Sequence, residues 1–330
     1  MKNEDEAKAT AVAHPIQGIV KYHGLRDEET RIPYHDSISV CTAPSHTRTT
    51  VEFGRDEDTF VIDGEEMDAG VERAKRVVDK VREQTGVESG VRVESENSFP
   101  SNVGLGASSS GFAALAVSAL EAAGGDTSVR NASAVARRGA TSAARSVAGG
   151  FARIRTSDRD ERCYAERLDD GFRTEDDHGG NLRIVVALVP AHKHTGRAHS
   201  EAAESHMFES RLAYIHGALA EAEQAIADGD FDATFSLAER DSLSLLAVTM
   251  TGPEGWIYWK PETLALLEVI RDMREDGIPV YMSTDTGATA YLNTTEEHAE
   301  RVADAVEALG VESHVWEVGG PARVTDDHLF

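Results

Sequence analysis

A chain of 330 residues is too long for one small core and long enough for two lobes that each bury an apolar face. Its 58 acidic residues against 33 basic ones leave a net charge of −25, which repels nucleic acid and anionic lipid and argues against a role at either. Cys41 and Cys163, far apart in sequence, exclude a disulfide framework and a zinc knuckle, and no apolar run approaches the roughly 20 residues that span a bilayer.

The first residues, Met1-Lys2-Asn3-Glu4-Asp5-Glu6, lack the basic-then-apolar order of a signal peptide, so a soluble, cytoplasmic protein is expected. Seven of the basic residues are lysine and 26 are arginine; an acidic, lysine-poor surface suits a cytoplasm of concentrated salt, which screens self-repulsion. Apolar and β-branched runs at about Ser37–Ala43, Arg48–Phe53, Thr59–Asp63 and Val91–Glu96 alternate as antiparallel strands do. Helical period marks about Ala69–Gln84, Ala107–Ala123 and Asn131–Val147, and the charged patch Thr156–Asp177 reads as hairpin or loop. Leu182–Val189 then reads as a buried strand, and Arg197–Asp228 and Phe231–Met250 as a helical hairpin. Pro261–Arg274 predicts a helix, Val280–Ser283 and Ala288–Leu292 neighbouring strands, Glu296–Leu309 a helix and Glu312–Val318 a last strand. The pattern is α+β with split βαβ units in each half, and the lobe boundary is expected near Gly179–Leu182, dividing residues 1–180 from 181–330.

The stretch Asn97 to Phe112 holds a glycine-rich turn that opens into a helix. Gly104 and Gly106 let the backbone approach a ligand closely, and exposed N–H groups at the positive end of a helix dipole attract an anion, phosphate above all. No lysine follows the last glycine before the hydroxyl residues, so this is not a Walker A loop, and spacing alone equally fits a serine-capped helix after a flexible loop.

The residues Phe99-Pro100, Gly104-Leu105-Gly106-Ala107-Ser108 and Gly111-Phe112-Ala113-Ala114-Leu115 together resemble the phosphate loop of mevalonate diphosphate decarboxylases, in the GHMP kinase superfamily. Five further segments lie in that family's order along the chain. Ile19-Val20-Lys21-Tyr22-His23-Gly24 resembles its Ile-Lys-Tyr-Trp-Gly, and Ile32-Pro33 with Asp36-Ser37-Ile38-Ser39 its Pro-x-Asn-Asp-Ser-Leu-Ser. Gly139-Ala140-Thr141-Ser142-Ala143-Ala144-Arg145-Ser146 with Gly149-Gly150-Phe151 resembles its Gly-Ser-Gly-Ser-Ala-x-Arg-Ser and Gly-Gly-Phe. Ser283-Thr284-Asp285-Thr286-Gly287-Ala288 is similar to its Thr-x-Asp-Ala-Gly-Pro-Asn turn, and the helix with Glu239-Arg240-Asp241-Ser242 also fits.

The resemblance implies a two-lobed fold, with an N-terminal lobe like ribosomal S5 domain 2 and a ferredoxin-like C-terminal lobe, and a homodimer. It implies ATP and Mg²⁺ as cofactors, with Leu105, Ala107, Ser109 and Ser110 beside Gly104 and Gly106 at the nucleotide and Ser108 touching both its phosphates and the metal. The implied reaction phosphorylates a tertiary 3-hydroxyl, then expels phosphate and CO₂ together, which needs a group at the hydroxyl, a cation for the carboxylate and a cradle for ATP. Asp285 is implied to orient or deprotonate the hydroxyl; by itself it reads as an Asx-turn before Gly287. Arg145, three residues after Ser142 and so on one helix face with it, is implied to clamp the substrate carboxylate. Lys21, a catalytic candidate, and Tyr22 are implied to reach substrate, although a lone Lys-Tyr on a strand is commonly a surface pair.

The sequence departs from the diphosphate pattern at one end of the substrate. The family's second lysine after Tyr-Trp-Gly is Leu25 here, with Arg26 one step later, and its Ser-Ser-x-Arg-Gly-Met segment reads Lys193-His194-Thr195-Gly196-Arg197-Ala198. Losing a lysine and a serine pair weakens charge-assisted hydrogen bonding to a diphosphate, while Lys193, His194 and Arg197 can still hold a monophosphate. Mevalonate 5-phosphate, giving isopentenyl phosphate, is therefore the expected substrate, as in archaeal-type phosphomevalonate decarboxylases. A one-residue slip that put Thr195 and Arg197 in the family positions would return the diphosphate. The alternatives are a small-molecule kinase that stops after phosphorylation and an inactive nucleotide-binding scaffold.

Overall fold

The computed structural model describes residues 8–67, 70–99, 105–173, 179–190 and 199–330. The chain runs through β1 (Lys8–Ala13), β2 (Ile16–Val20), β3 (Leu25–Asp27), β4 (Ile32–Pro33), β5 (Ser37–Ala43), β6 (Thr47–Arg55), β7 (Thr59–Ile62) and β8 (Glu65–Glu66) before α1 (Val71–Thr85) and β9 (Gly90–Asn97). Helices α2 (Ala107–Ala122), α3 (Val129–Arg137) and α4 (Ala143–Ala148) lead to a hairpin of β10 (Phe151–Arg155) and β11 (Tyr164–Arg167). Strand β12 (Leu182–Leu188) precedes α5 (Phe208–Asp228), α6 (Phe231–Met250) and α7 (Pro261–Glu275). Then come β13 (Val280–Thr284), β14 (Ala290–Thr295), α8 (Ala299–Ala308), β15 (Glu312–Val318) and β16 (Arg323–Thr325).

Two large sheets result. The first has the order β16-β1-β6-β9-β7-β8, with β7 and β9 parallel on either side of α1. Its inner face packs on α1, α2 and α3 through Val51, Val77, Val93, Leu120 and Val135, all nearly or wholly buried. Alanine-rich α2 is buried almost all round, because small side chains let strands and neighbouring helices approach it on several sides. A fully buried large side chain such as Leu120 contributes about 1.5–3 kcal/mol by leaving water.

In the second sheet, β15-β12-β14-β13 is the antiparallel four-strand order of a ferredoxin-like unit. Ile184 and Val186 face Phe235 and Ile226 of the α5–α6 hairpin, and Val185 and Ala187 face Leu266, Ile270 and Val302 on the other side. The sheet continues across the molecule: Glu317 and Val318 of β15 pair with Ala43 and Thr42 of β5, which also carries β2 and β10. Strand β5 is buried along its whole length as a result.

The one long helix expected over Asn131–Val147 is two. Gly139 lies between them, where a Cβ would come within 2.3 Å of the Phe112 ring, and the Thr141 hydroxyl donates to the Arg31 carbonyl at 2.8 Å. Packing against α2 and that tether turn the chain, overriding the helical period. Strands β1, β2, β3, β4, β8, β10 and β16 are additional to those expected, and β11 falls in the patch expected as hairpin or loop.

Candidate active site

Four elements from both halves meet at the C-terminal end of β2. The slip in the β2–β5 register between Gly18 and Val20 turns the chain there, and the Gly18 N–H donates to Asp285 Oδ1 at 3.1 Å. A Cβ on Gly18 would stand 2.5 Å from Lys21 Cγ and 3.1 Å from Asp285 Oδ1, so glycine is what lets lysine and carboxylate share this corner. Asp285 follows β13 directly, and the preceding residue is fixed at two points: the Thr284 N–H donates to Ser242 Oγ and the Trp259 indole N–H to Thr284 Oγ1, both at 3.1 Å. A small cleft opens beside Asp285, walled by Ser242, Tyr258, Trp259 and Thr286; Lys21 and Arg145 are not among its walls.

Lys21 is only 5 % exposed. Its Nζ lies 3.5 Å from Asp241 Oδ2 and donates to the Ala238 carbonyl at 3.3 Å, and its main-chain N–H reaches the same Asp241 oxygen at 2.9 Å. Arg211 completes the triad, donating to both Asp241 oxygens at 3.0 and 3.2 Å and to the Lys21 carbonyl at 2.7 Å. Burial draws the Lys21 pKa down from the ordinary lysine value; the Asp241 and Asp285 carboxylates oppose this, and the Arg211 charge adds to it. Lys21 is therefore a buried ammonium with a fixed main chain, not half of a surface pair.

Arg145, 3 % exposed, makes no ion pair with a carboxylate among the described residues. Its guanidinium donates to the Ser39 hydroxyl at 2.9 Å and to the Ser37 hydroxyl, and lies 5.5 Å from the Tyr22 ring centroid. Burial pulls its pKa down to about 10, still cationic at neutral pH. A buried cation held by neutral hydroxyls is an anion site.

Helix α2 starts at Gly106, whose φ of +76° is left-handed, and a Cβ there would crowd Ser109 Oγ at 3.2 Å and Pro15 at 3.3 Å. Ser108 is exposed on the first turn. The Ser109 hydroxyl instead donates to the Gly106 carbonyl at 2.6 Å and Ser110 Oγ bonds Thr47 Oγ1 at 2.7 Å, so both turn inward, as does Leu105, which sits in the core with Ile19 and Phe151. What Leu105, Ala107, Ser109 and Ser110 offer a ligand is main chain; Ser108 also offers its hydroxyl. Arg73 on α1 carried no sequence signal: its guanidinium is 5.1 Å from the Phe112 ring of α2, no carboxylate among the described residues pairs with it, and burial lowers its pKa. Only its place on a surface-like helix was visible, and that gives no hint of the α2 contact. Ser142 caps α4 half-buried, one turn before Arg145. Gly104, Lys193, His194 and Arg197 lie outside the described residues.

His23 is wholly buried and neither ring nitrogen has a hydrogen-bond partner among the described residues. Burial holds its pKa well below 6.5, helped by His199, Arg211 and His35, and burial pulls His35 down to about 4. The unfolded chain takes up protons below pH 6.5 that the folded chain refuses, so stability falls as pH drops through that value. Unfolding midpoints are thus expected to fall between about pH 7 and about pH 5, with a flatter fall in His23→Phe. Identical slopes in the two proteins would remove His23 as the source.

The two-lobed fold, with an aspartate turn bonded to Gly18 and a glycine-led helix, is that of the GHMP-kinase-type enzymes. Residues 13–165 match the family model described as diphosphomevalonate decarboxylase-like N-terminal domain. The phosphomevalonate decarboxylase of Haloferax volcanii is 58 % identical over 324 residues, 97 % of this chain and 98 % of that one. Mevalonate diphosphate decarboxylase from Staphylococcus aureus superposes with a TM-score of 0.90 at 27 % identity, covering 97 % and 98 % of the two chains. MDDEF in complex with MVAPP, AMPPCP and magnesium gives 0.87 at 26 % identity, covering 96 % and 98 %. The chain belongs to the diphosphomevalonate decarboxylase-like family, ATP-using carbon–carbon lyases of the mevalonate pathway.

Proposed function

We propose that this chain catalyses ATP-dependent decarboxylation of mevalonate 5-phosphate to isopentenyl phosphate. One observation carries the reaction class: Asp285 and the buried Lys21 are brought together against Gly18, and the Asp285 charge opposes the downward pull of burial on both Lys21 and Arg145. Asp285 would take or orient the 3-hydroxyl proton, with Lys21 gathered beside it across Gly18. Arg145, with Ser142, would hold the substrate carboxylate until its C–C bond breaks, and Tyr22 would lie along the substrate between Arg145 and the phosphate end.

ATP, as its magnesium complex, supplies the phosphoryl group that makes the tertiary hydroxyl a leaving group. The residues fit it. The first turn of α2 with exposed Ser108, and Arg73 beside Phe112, would receive its phosphates. Among the described residues no cluster of three or more His, Cys, Asp or Glu could hold a metal, which suits Mg²⁺ carried by phosphates with help from the Ser108 hydroxyl.

Mevalonate 5-phosphate is favoured by Leu25 and by the near full-length identity to the Haloferax volcanii enzyme. Lys193, His194 and Arg197 would bind its phosphate. The acidic composition fits a salt-rich cytoplasm, no helix among the described residues is long and apolar enough to cross a membrane, and a homodimer and a lobe division near residue 180 complete the reading.

Purified protein in high salt with ATP and Mg²⁺ is expected to release CO₂ from mevalonate 5-phosphate and not from unphosphorylated mevalonate. CO₂ from the 5-diphosphate in preference would keep the family and overturn the substrate. ADP without CO₂ would mean a kinase, and nucleotide binding with neither product an inactive scaffold.

A further inference from the structure

Tyr22, which would run along the substrate away from Arg145, meets a wall on its other neighbour. The His199 imidazole, buried, stacks on the Tyr22 ring with centroids 4.8 Å apart and planes 6° from parallel. Its Nδ1 faces the Gly24 N–H at 3.4 Å, so this nitrogen is the acceptor and carries no proton in that contact. Gly24, at φ +80°, draws the two segments together: a Cβ there would stand 3.0 Å from the Tyr34 ring and 3.4 Å from Ala202 Cβ. The 22–24 loop and the helical 199–202 segment are thus closed on one another at the ring, the amide and the glycine.

We propose that His199 is a specificity-determining residue that closes the phosphate end of the substrate site behind a single phosphoryl group. This rests on the reading of the substrate given above. A second phosphoryl group would have to lift the imidazole off Tyr22, and the described side chains around it would repay little of that cost. His23 and His35 nearby are held neutral, Leu25 carries no charge, and Arg211 is already committed to Asp241. With Lys193, His194 and Arg197 taken up by the first phosphoryl group, added negative charge pressed against neutral rings loses hydration with little gained in return.

The test compares kcat/KM for mevalonate 5-phosphate and 5-diphosphate in the parent, His199→Ala and His199→Phe. His199→Ala is expected to shift the ratio toward the diphosphate by about tenfold or more, through a gain on that substrate, whereas His199→Phe, which keeps a flat ring on Tyr22, retains the parent ratio. An unchanged ratio in His199→Ala, or an equal loss on both substrates, overturns the proposal. A parent that prefers the diphosphate brings down the substrate reading itself, whatever the variants do. Should His199→Ala not fold, competition on the parent decides: diphosphate inhibiting with a Ki above the KM for monophosphate by about tenfold supports the wall, and equal values overturn it.

Discussion

Asp285→Asn is expected to lower CO₂ release by about 10²–10⁴-fold while nucleotide binding and the unfolding midpoint stay at the parent values. The substitution is nearly isosteric, and the new side-chain carbonyl can still accept the Gly18 N–H now bonded to Oδ1 at 3.1 Å. The turn should also survive, since Thr284 is tied to Ser242 and Trp259 independently of the aspartate side chain. What disappears is the proposed proton acceptor and one negative charge that favours the charged forms of Lys21 and Arg145. That charge now supports the protonated form of both cations against burial, so the variant should also bind the substrate carboxylate through a slightly more acidic Arg145. Single-turnover CO₂ release alongside calorimetric titration with a non-hydrolysable ATP analogue separates the two effects. Near-normal CO₂ release would sink the role assigned to Asp285.

The largest effect on stability is expected at Asp241. It is wholly buried and is the shared counter-ion of Lys21 and Arg211, themselves almost completely buried. Asp241→Ala would strand two cations and the Lys21 N–H, and removing one partner from a buried ionic group typically costs about 3–5 kcal/mol. The loss should appear in urea unfolding at fixed salt. Asp241→Asn, which still accepts the Lys21 N–H, should lose less. An Asp241→Ala protein within about 1 kcal/mol of the parent would mean that water reaches this triad and screens it.

The sequence made some of this visible and hid the rest for physical reasons. The start of α2 was readable because Gly106, a hydroxyl run and a long alanine-rich helix are local signals, and so were β12, with its nearly continuous apolar run, and β5 and β15, with their alternating ones. Asp285 and Arg145 could be picked out by resemblance, since each sits in a short motif. The partnership of Asp241 with Lys21 spans 220 residues and leaves no local trace: on α6 the aspartate looks like one more acid in a helix rich in charge. Arg145 is likewise fixed by Ser37 and Ser39, more than a hundred residues upstream. Strand β1 is alanine- and threonine-rich and so weakly patterned, β2 is interrupted by Gly18, and β16 is three residues long, which is why period alone missed them. The break between α3 and α4 depends on Phe112 filling the space beside Gly139, a fact of packing and not of propensity.

The pairing of β15 with β5 and of β16 with β1 also orders events during synthesis. Thr10 lies opposite Thr325, and Thr42 opposite Val318, so the edge of β1 and one flank of β5 wait for nearly the whole chain to be translated. Closing such long loops is slow, and until then the amino-terminal half presents unpaired strand edges to its neighbours on the ribosome. A surface crowded with like charge keeps nascent copies apart over that interval, which gives the acidic composition a use before the enzyme has turned over once.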